Sequence, residues 1–249
     1  MTGLMTIFRR ELAGLFLTPL AWVLLVAAVG LNGVLMIQVL IQTGGDVDRS
    51  FNHLLGTGLY YWMFMVILPP LLTMRTISEE AKSGQLEFLL TAPVTDTAVV
   101  VGKHMAVCAF LAVLWSAVPF YGVVLELAGV SPDWGQLSMG YLGAVLVSSL
   151  FAAIGMATSA ASSTPLLAAF LGFVLNLGVL LLPQGARVVG GEVGSVLLPV
   201  AERLDVPRHL QLSFMRGAFD SADLVFFLAW TGLFLFASVR LVEARRWWT

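Results

Sequence analysis

Apolar stretches long enough to cross a bilayer recur along this chain, separated by short polar breaks. A membrane-spanning helix needs ~20 mostly apolar residues. The pattern predicts six such helices, at about Pro19–Gln42, Leu54–Met74, Ala98–Leu127, Leu137–Ala161, Pro165–Leu182 and Leu224–Leu241. The third is the longest, and Pro119 is expected to kink it. The reading is therefore an all-α integral membrane protein, a single transmembrane domain over residues 1–249 with no tandem repeat. The first span exceeds a secretion-signal core of ~7–15 residues and has no small-x-small cleavage site behind it, so it is expected to remain as an anchor.

Four stretches depart from plain spans. In the first, Leu4, Ile7, Phe8, Leu12, Leu15 and Phe16 recur at spacings of three and four, with Arg9, Arg10 and, less cleanly, Glu11 off the stripe. This predicts an amphipathic helix in the membrane interface, with Ile7, Phe8, Arg9, Arg10 and Leu12 as its core positions. The second, MRTISEEAKSGQLEFLLTAP (Met74–Pro93), is a charged, half-apolar interlude between spans two and three. Thr76 with Glu79 three residues on fits a capping box, Gly84 interrupts, and Leu86, Phe88, Leu89 and Leu90 form an apolar end. A short helix of this kind docks into a groove on a soluble partner or rests on lipid as an interfacial hairpin; pattern alone leaves both open.

The third stretch lies in span four, where Gly140, Ala144, Ser148 and Ala152 fall at four-residue intervals, continued by Gly155, Ser159 and Ala160. Small residues let membrane helices approach closely, placing this span inside the bundle or at a subunit contact. The fourth, Pro183–Asp223, alternates apolar pieces with charges and is too broken to span. Two short helices at the outer interface, lying on it or dipping back into protein, are expected there, with Pro199 and Pro207 limiting their length.

Composition agrees with a membrane protein. The chain is 59% hydrophobic and 11% charged, with a mean hydropathy of +0.92; soluble domains average ~45–50% and ~25%. Of thirteen Lys and Arg residues, eight fall on the side of the termini and of Met74–Pro93, and five on the other. The richer side is cytoplasmic by the positive-inside rule, so both termini are expected there, with Trp247 and Trp248 beside Arg245 and Arg246 as an interfacial anchor.

Catalytic chemistry is not legible. One cysteine, Cys108, excludes an intrachain disulfide and any multi-cysteine metal cluster. His53, His104 and His209 fall apart in sequence without an HExxH pattern. Gly102-Lys103-His104 echoes the end of a phosphate loop, but Thr97 stands where that loop needs glycine and His104 where it needs Ser or Thr. Polar residues within spans are sparse (Asn32, Gln38, Asn176, Glu126), and no buried Asp/Glu/Lys relay is expected. The chain is read as lacking catalytic, cofactor and metal sites of its own, with energy arriving from another protein.

The run Arg75-Thr-Ile-Ser-Glu79-Glu80-Ala-Lys-Ser-Gly84-Gln-Leu86-Glu87-Phe-Leu-Leu90-Thr-Ala-Pro93-Val-Thr, then Val101-Gly102-Lys103, resembles the cytoplasmic loop of ABC-2-type transporter permeases. Gln85 departs from it, since Thr is usual there. Arg10-Glu11-Leu12 followed by a proline before span one is also typical of that family. Ser213-Phe214, Arg216-Gly217, Asp223 and Val242-Glu243-Ala-Arg245-Arg246-Trp247 look like the permease subfamily associated with bacterial gliding motility.

The resemblance implies six spans, a homodimer or a pairing with a second permease, and a bacterial inner-membrane location. It implies a coupling helix that docks a cytoplasmic ABC ATPase subunit through Ser78, Glu79, Glu80, Gln85, Leu86, Glu87, Phe88, Leu89 and Leu90. ATP and Mg would bind that partner rather than this chain. A membrane subunit with a large periplasmic domain is a further expected partner, membrane lipid another, and nucleic acid is not expected. The function implied is the permease subunit of an ATP-driven exporter; the alternative is a mechanical or scaffolding subunit that passes motion to a periplasmic partner and translocates nothing. The apolar spans suggest a lipid-like or lipid-anchored cargo.

Overall fold

The computed structural model describes residues 2–83, 94–188 and 198–245. Their helices are α1 (Thr2–Leu17), α2 (Pro19–Gln42), α3 (Val47–Asn52), α4 (Leu59–Thr73), α5 (Ser78–Ser83), α6 (Asp96–Trp115), α7 (Ala117–Leu127), α8 (Trp134–Ala161), α9 (Pro165–Val188), α10 (Val206–Leu212) and α11 (Ser221–Arg245). No strand occurs among the described residues. Six helical stretches are long and apolar enough to cross a membrane: Ala21–Gln42, Val47–Ser83, Asp96–Leu127, Trp134–Ala161, Pro165–Val188 and Ser221–Ala244. The chain is an all-α, multi-pass integral membrane protein.

Helix α8 is the axis of the bundle, packed by α4, α6, α9 and α11. Its small residues face inward: Gly140, Ala144, Ser148 and Ala152 are all buried within the chain. A Cβ on Gly140 would lie 2.8 Å from Met215 Cε, and Ser148 accepts a 2.9 Å hydrogen bond from the indole of Trp115. These four positions serve packing inside one chain. The alternative of a subunit contact is corrected, because none of them has surface to offer a second copy.

The second span was expected to begin at Leu54; instead His53–Thr57 forms a π turn and Gly58 is extended, so the straight helix begins at Leu59. A Cβ on Gly58 would lie 2.4 Å from the His53 carbonyl oxygen, an approach only glycine permits. The third span breaks at Ser116 into α6 and α7. Pro119 has no N–H to offer the Trp115 carbonyl, which ends α6 one turn earlier. The fifth runs on through Pro183 to Val188, past its expected end at Leu182.

The termini share one end of the bundle with α5, since Gly3 approaches Val94 and Val242 of α11 clusters with Ile77. Residues 198–220, between α9 and α11, lie at the opposite, far end. Residues 198–203 and α10 are helical there, followed by a tight turn at Phe214–Arg216. Leu210, Phe214 and Met215 are buried against Gly56, Gly140 and Gly143. The described part of this segment is a plug in the far end of the bundle, the second of the two expected placements, with its apolar side chains dipping back into the protein. Two sequence readings, the 189–197 part of that segment and the Arg246-Trp247-Trp248 anchor, lie outside the described residues.

Candidate coupling site at the root of α5

Helix α4 ends against two glycines. A Cβ on Gly155 of α8 would lie 2.1 Å from Thr73 Oγ1, and one on Gly172 of α9 would lie 3.0 Å from Pro70 Cβ. Without those side chains α4 nests between α8 and α9, and its last turn is fixed where the chain leaves for α5. Pro69 and Pro70 remove two backbone donors inside α4, and the Thr73 hydroxyl returns a 2.8 Å bond to the Pro69 carbonyl.

The start of α5 is held by another span. The N–H groups of Ile77 and Ser78 donate to Ser159 Oγ on α8 at 3.2 and 3.1 Å. Ser159 in turn donates to the Met74 carbonyl at 3.2 Å. The first N–H groups of a helix have no partner within it, so a hydroxyl from α8 supplies the cap. The expected Thr76/Glu79 capping box is absent. Thr76 donates instead to the Thr73 carbonyl at 2.7 Å, Glu79 pairs loosely with Arg75 at 3.7 Å, and α5 starts one residue later than a Thr76 cap requires. Ile77 is buried in a separate apolar cluster with Val100, Met156, Ala160, Val239 and Val242, joining α5 to α6, α8 and α11.

A closed ionic ring holds the other side. Lys103 Nζ on α6 lies 2.7 Å from Glu80 Oε1 on α5 and 3.0 Å from Glu11 Oε1 on α1. Arg10 on α1 reaches the same two oxygens, at 3.3 and 2.6 Å. Each carboxylate oxygen thus accepts from both cations, and the four charges cancel. The Lys103 side chain is 1% exposed, so its ammonium depends on these partners. Burial pushes the Glu11 carboxyl up, but the Lys103 charge and the Arg10 and Lys103 hydrogen bonds outweigh it and hold that carboxyl below its ordinary value.

Gly102 explains how α1 comes close enough. A Cβ there would lie 3.0 Å from Ile7 Cγ2 and 3.1 Å from the Leu4 carbonyl oxygen. The apolar stripe of α1 therefore packs on α6, with the rings of Phe16 and Phe110 5.3 Å apart. Ile7 is buried, Phe8 and Leu12 are half-buried, and Arg9 and Arg10 are exposed. One side of the stripe thus lies against α6, which covers Ile7 fully and Phe8 and Leu12 in part.

Of the expected docking residues, Gln85, Leu86, Glu87, Phe88, Leu89 and Leu90 lie outside the described residues. Among the other three, Glu79 is exposed, Glu80 turns inward to Lys103, and Ser78 is fully buried. Ser78 is corrected from a docking residue to a fixing one, since its hydroxyl is given to the Met74 carbonyl.

The buried ion pairs of Lys103 at this end of the bundle were not foreseen in the sequence. Lys103 was passed over as a failed phosphate-loop lysine. The signal that marks it is a lone lysine after glycine, two turns into an otherwise apolar span. Elsewhere Asn32 bonds its own helix at the Ala28 carbonyl, Glu126 accepts from the Trp134 indole, and Asn176 is buried with no hydrogen-bond partner among the described residues. His104 lies 3.1 Å from Ser149 Oγ and 3.2 Å from Cys108 Sγ. Among the described residues no group of three or more His, Cys, Asp or Glu is placed to hold a metal.

The family described as ABC-2 family transporter protein matches residues 47–182, more than half of the chain. The chain belongs to the ABC-2 transporter family. The matched region begins at α3 and takes in α4, α5, the Lys103 ring partner on α6 and the Ser159 cap on α8. As an ABC-2 chain it is a membrane permease component of an ABC transporter. Among curated proteins no sequence matches it.

Proposed function

We propose that this ABC-2 chain couples ATP hydrolysis in a separate cytoplasmic ATPase subunit to movement of its spans, and that α5 with the residues after it is the input. The observation that carries the reading is the root of α5, tied to α8 by the Ser159 cap and to α6 and α1 by the ring of Arg10, Glu11, Glu80 and Lys103. A short helix joined so firmly to three others transmits a push instead of absorbing it. The termini and α5 are cytoplasmic in this reading, following the Lys and Arg bias, and the membrane is a bacterial inner membrane.

The ATPase docks on exposed Glu79 and on Glu87, Phe88, Leu89 and Leu90, with the apolar side chains as anchors. ATP and Mg belong to that subunit. The chain works as a homodimer or beside a second permease, and the cargo is lipid-like. Charged substitutions at Leu89 and Leu90 test the docking: ATP-driven activity is lost while membrane insertion persists. Unchanged ATP-driven activity refutes it.

A mechanical reading is favoured by the far-end plug, which gives α8 a rigid attachment for a periplasmic partner of the kind the gliding-motility likeness implies. Motion then leaves through α10 without a translocated solute. Replacing exposed Arg203 and Arg216 tests it: a lost partner supports the mechanical reading, and full retention removes it.

A further inference from the structure

At the far end, His209 of α10 is wedged between three groups. Its Nδ1 lies 2.5 Å from Asp223 Oδ1 at the start of α11, and its Nε2 lies 3.0 Å from the Arg203 carbonyl oxygen. Its ring stacks on Phe226 of α11 with centroids 4.0 Å apart. A carbonyl oxygen only accepts, so Nε2 carries a hydrogen. In neutral imidazole Nδ1 then holds a lone pair, and it faces a carboxylate that also holds lone pairs. The contact is attractive only when one more proton sits on the pair.

The surrounding charges do not supply a substitute. Among the described residues Asp223 pairs with no Lys or Arg. Arg208 is engaged by Glu202 at 2.9 Å, and Asp205 is taken by Arg187 at 3.0 Å. Asp220 accepts from the Ala222 N–H at 2.8 Å. The side chains of Glu202, Arg203, Arg208 and Asp220 share an open cup of about 490 Å³ with His209 and Asp223, so protons reach the pair from water.

We propose that His209 and Asp223 form a proton-binding site that latches the α10 plug to α11. The docked plug holds one proton on the pair. Removing it sets lone pair against lone pair, so alkali loosens the plug and acid holds it. The site adds a proton-linked element at the opposite end from the coupling ring, and its test does not depend on an ATPase.

The test is amide hydrogen exchange of residues 206–212 in the full chain in lipid nanodiscs, read as protection factors from about pH 5 to about pH 9. Wild-type protection is expected to fall with rising pH by up to about tenfold per pH unit, the limit for one linked proton. Asp223→Asn supplies a hydrogen to Nδ1 from its carboxamide, so its protection is expected to stay level into alkali. His209→Phe keeps the ring stack without a titrating group, and its protection is expected to be weaker and independent of pH. Protection in α6 serves as the reference and should not change. Level wild-type protection across the range, or a wild-type pH profile in Asp223→Asn, overturns the proposal.

Discussion

The ammonium of Lys103 sits 2.7 Å from the Glu80 carboxylate, across twenty-three positions of chain, with almost no contact with water. A charge buried this way is tolerable only while its partners stay. Lys103→Met is expected to destabilise the protein by about 1–3 kcal/mol, since Glu80 and Glu11 lose one of their two cations and keep Arg10. Adding Glu80→Gln and Glu11→Gln to Lys103→Met should recover much of that loss. Unfolding midpoints of the variants in one detergent measure it, and purely additive losses would count against the ring.

Ser159→Ala removes the hydroxyl that accepts from Ile77 and Ser78. The expected cost is about 1 kcal/mol. It should appear as faster amide exchange at residues 77–83 with little change in α9.

Acid should release α1 from the ring. The folded Glu11 carboxyl is held below its ordinary value, so its contribution is present at neutral pH and above. That contribution is lost as pH falls through the folded-state value, where the carboxylate takes a proton. A fluorophore at exposed Arg9 should gain mobility in that acid range, and Glu11→Gln should remove that step from the profile.

Gly155→Ala places a methyl 2.1 Å from Thr73 Oγ1. Overpacking of this kind costs about 1–3 kcal/mol. Thr73→Ala in the same chain should relieve part of it, and thermal unfolding of the double variant against the two singles gives the coupling.

Six crossings, the amphipathic α1 and the packing role of α8 were legible because each rests on a period or a length that one stretch of sequence carries by itself. The Pro119 break was legible for the same reason. What escaped is what joins distant stretches. Ser159 caps a helix 81 positions away, and Glu11 meets Lys103 across 92. Nothing local in Ser159 or Lys103 names its partner. The stripe of α1 announced an apolar surface but not whether lipid or α6 would cover it. The far segment read as broken amphipathic pieces, while Gly56 and Gly143, which open room for Leu210 and Phe214, lie in other spans.

In the proposed function, force from an ATPase enters at α5. A cysteine at exposed Glu79, with Cys108 replaced by alanine, allows crosslinking within the assembled transporter. A covalent adduct is expected between position 79 and the ATPase subunit, and none from a cysteine at far-end Arg203. An intact, ATP-hydrolysing assembly that crosslinks from position 203 and not from 79 would contradict it.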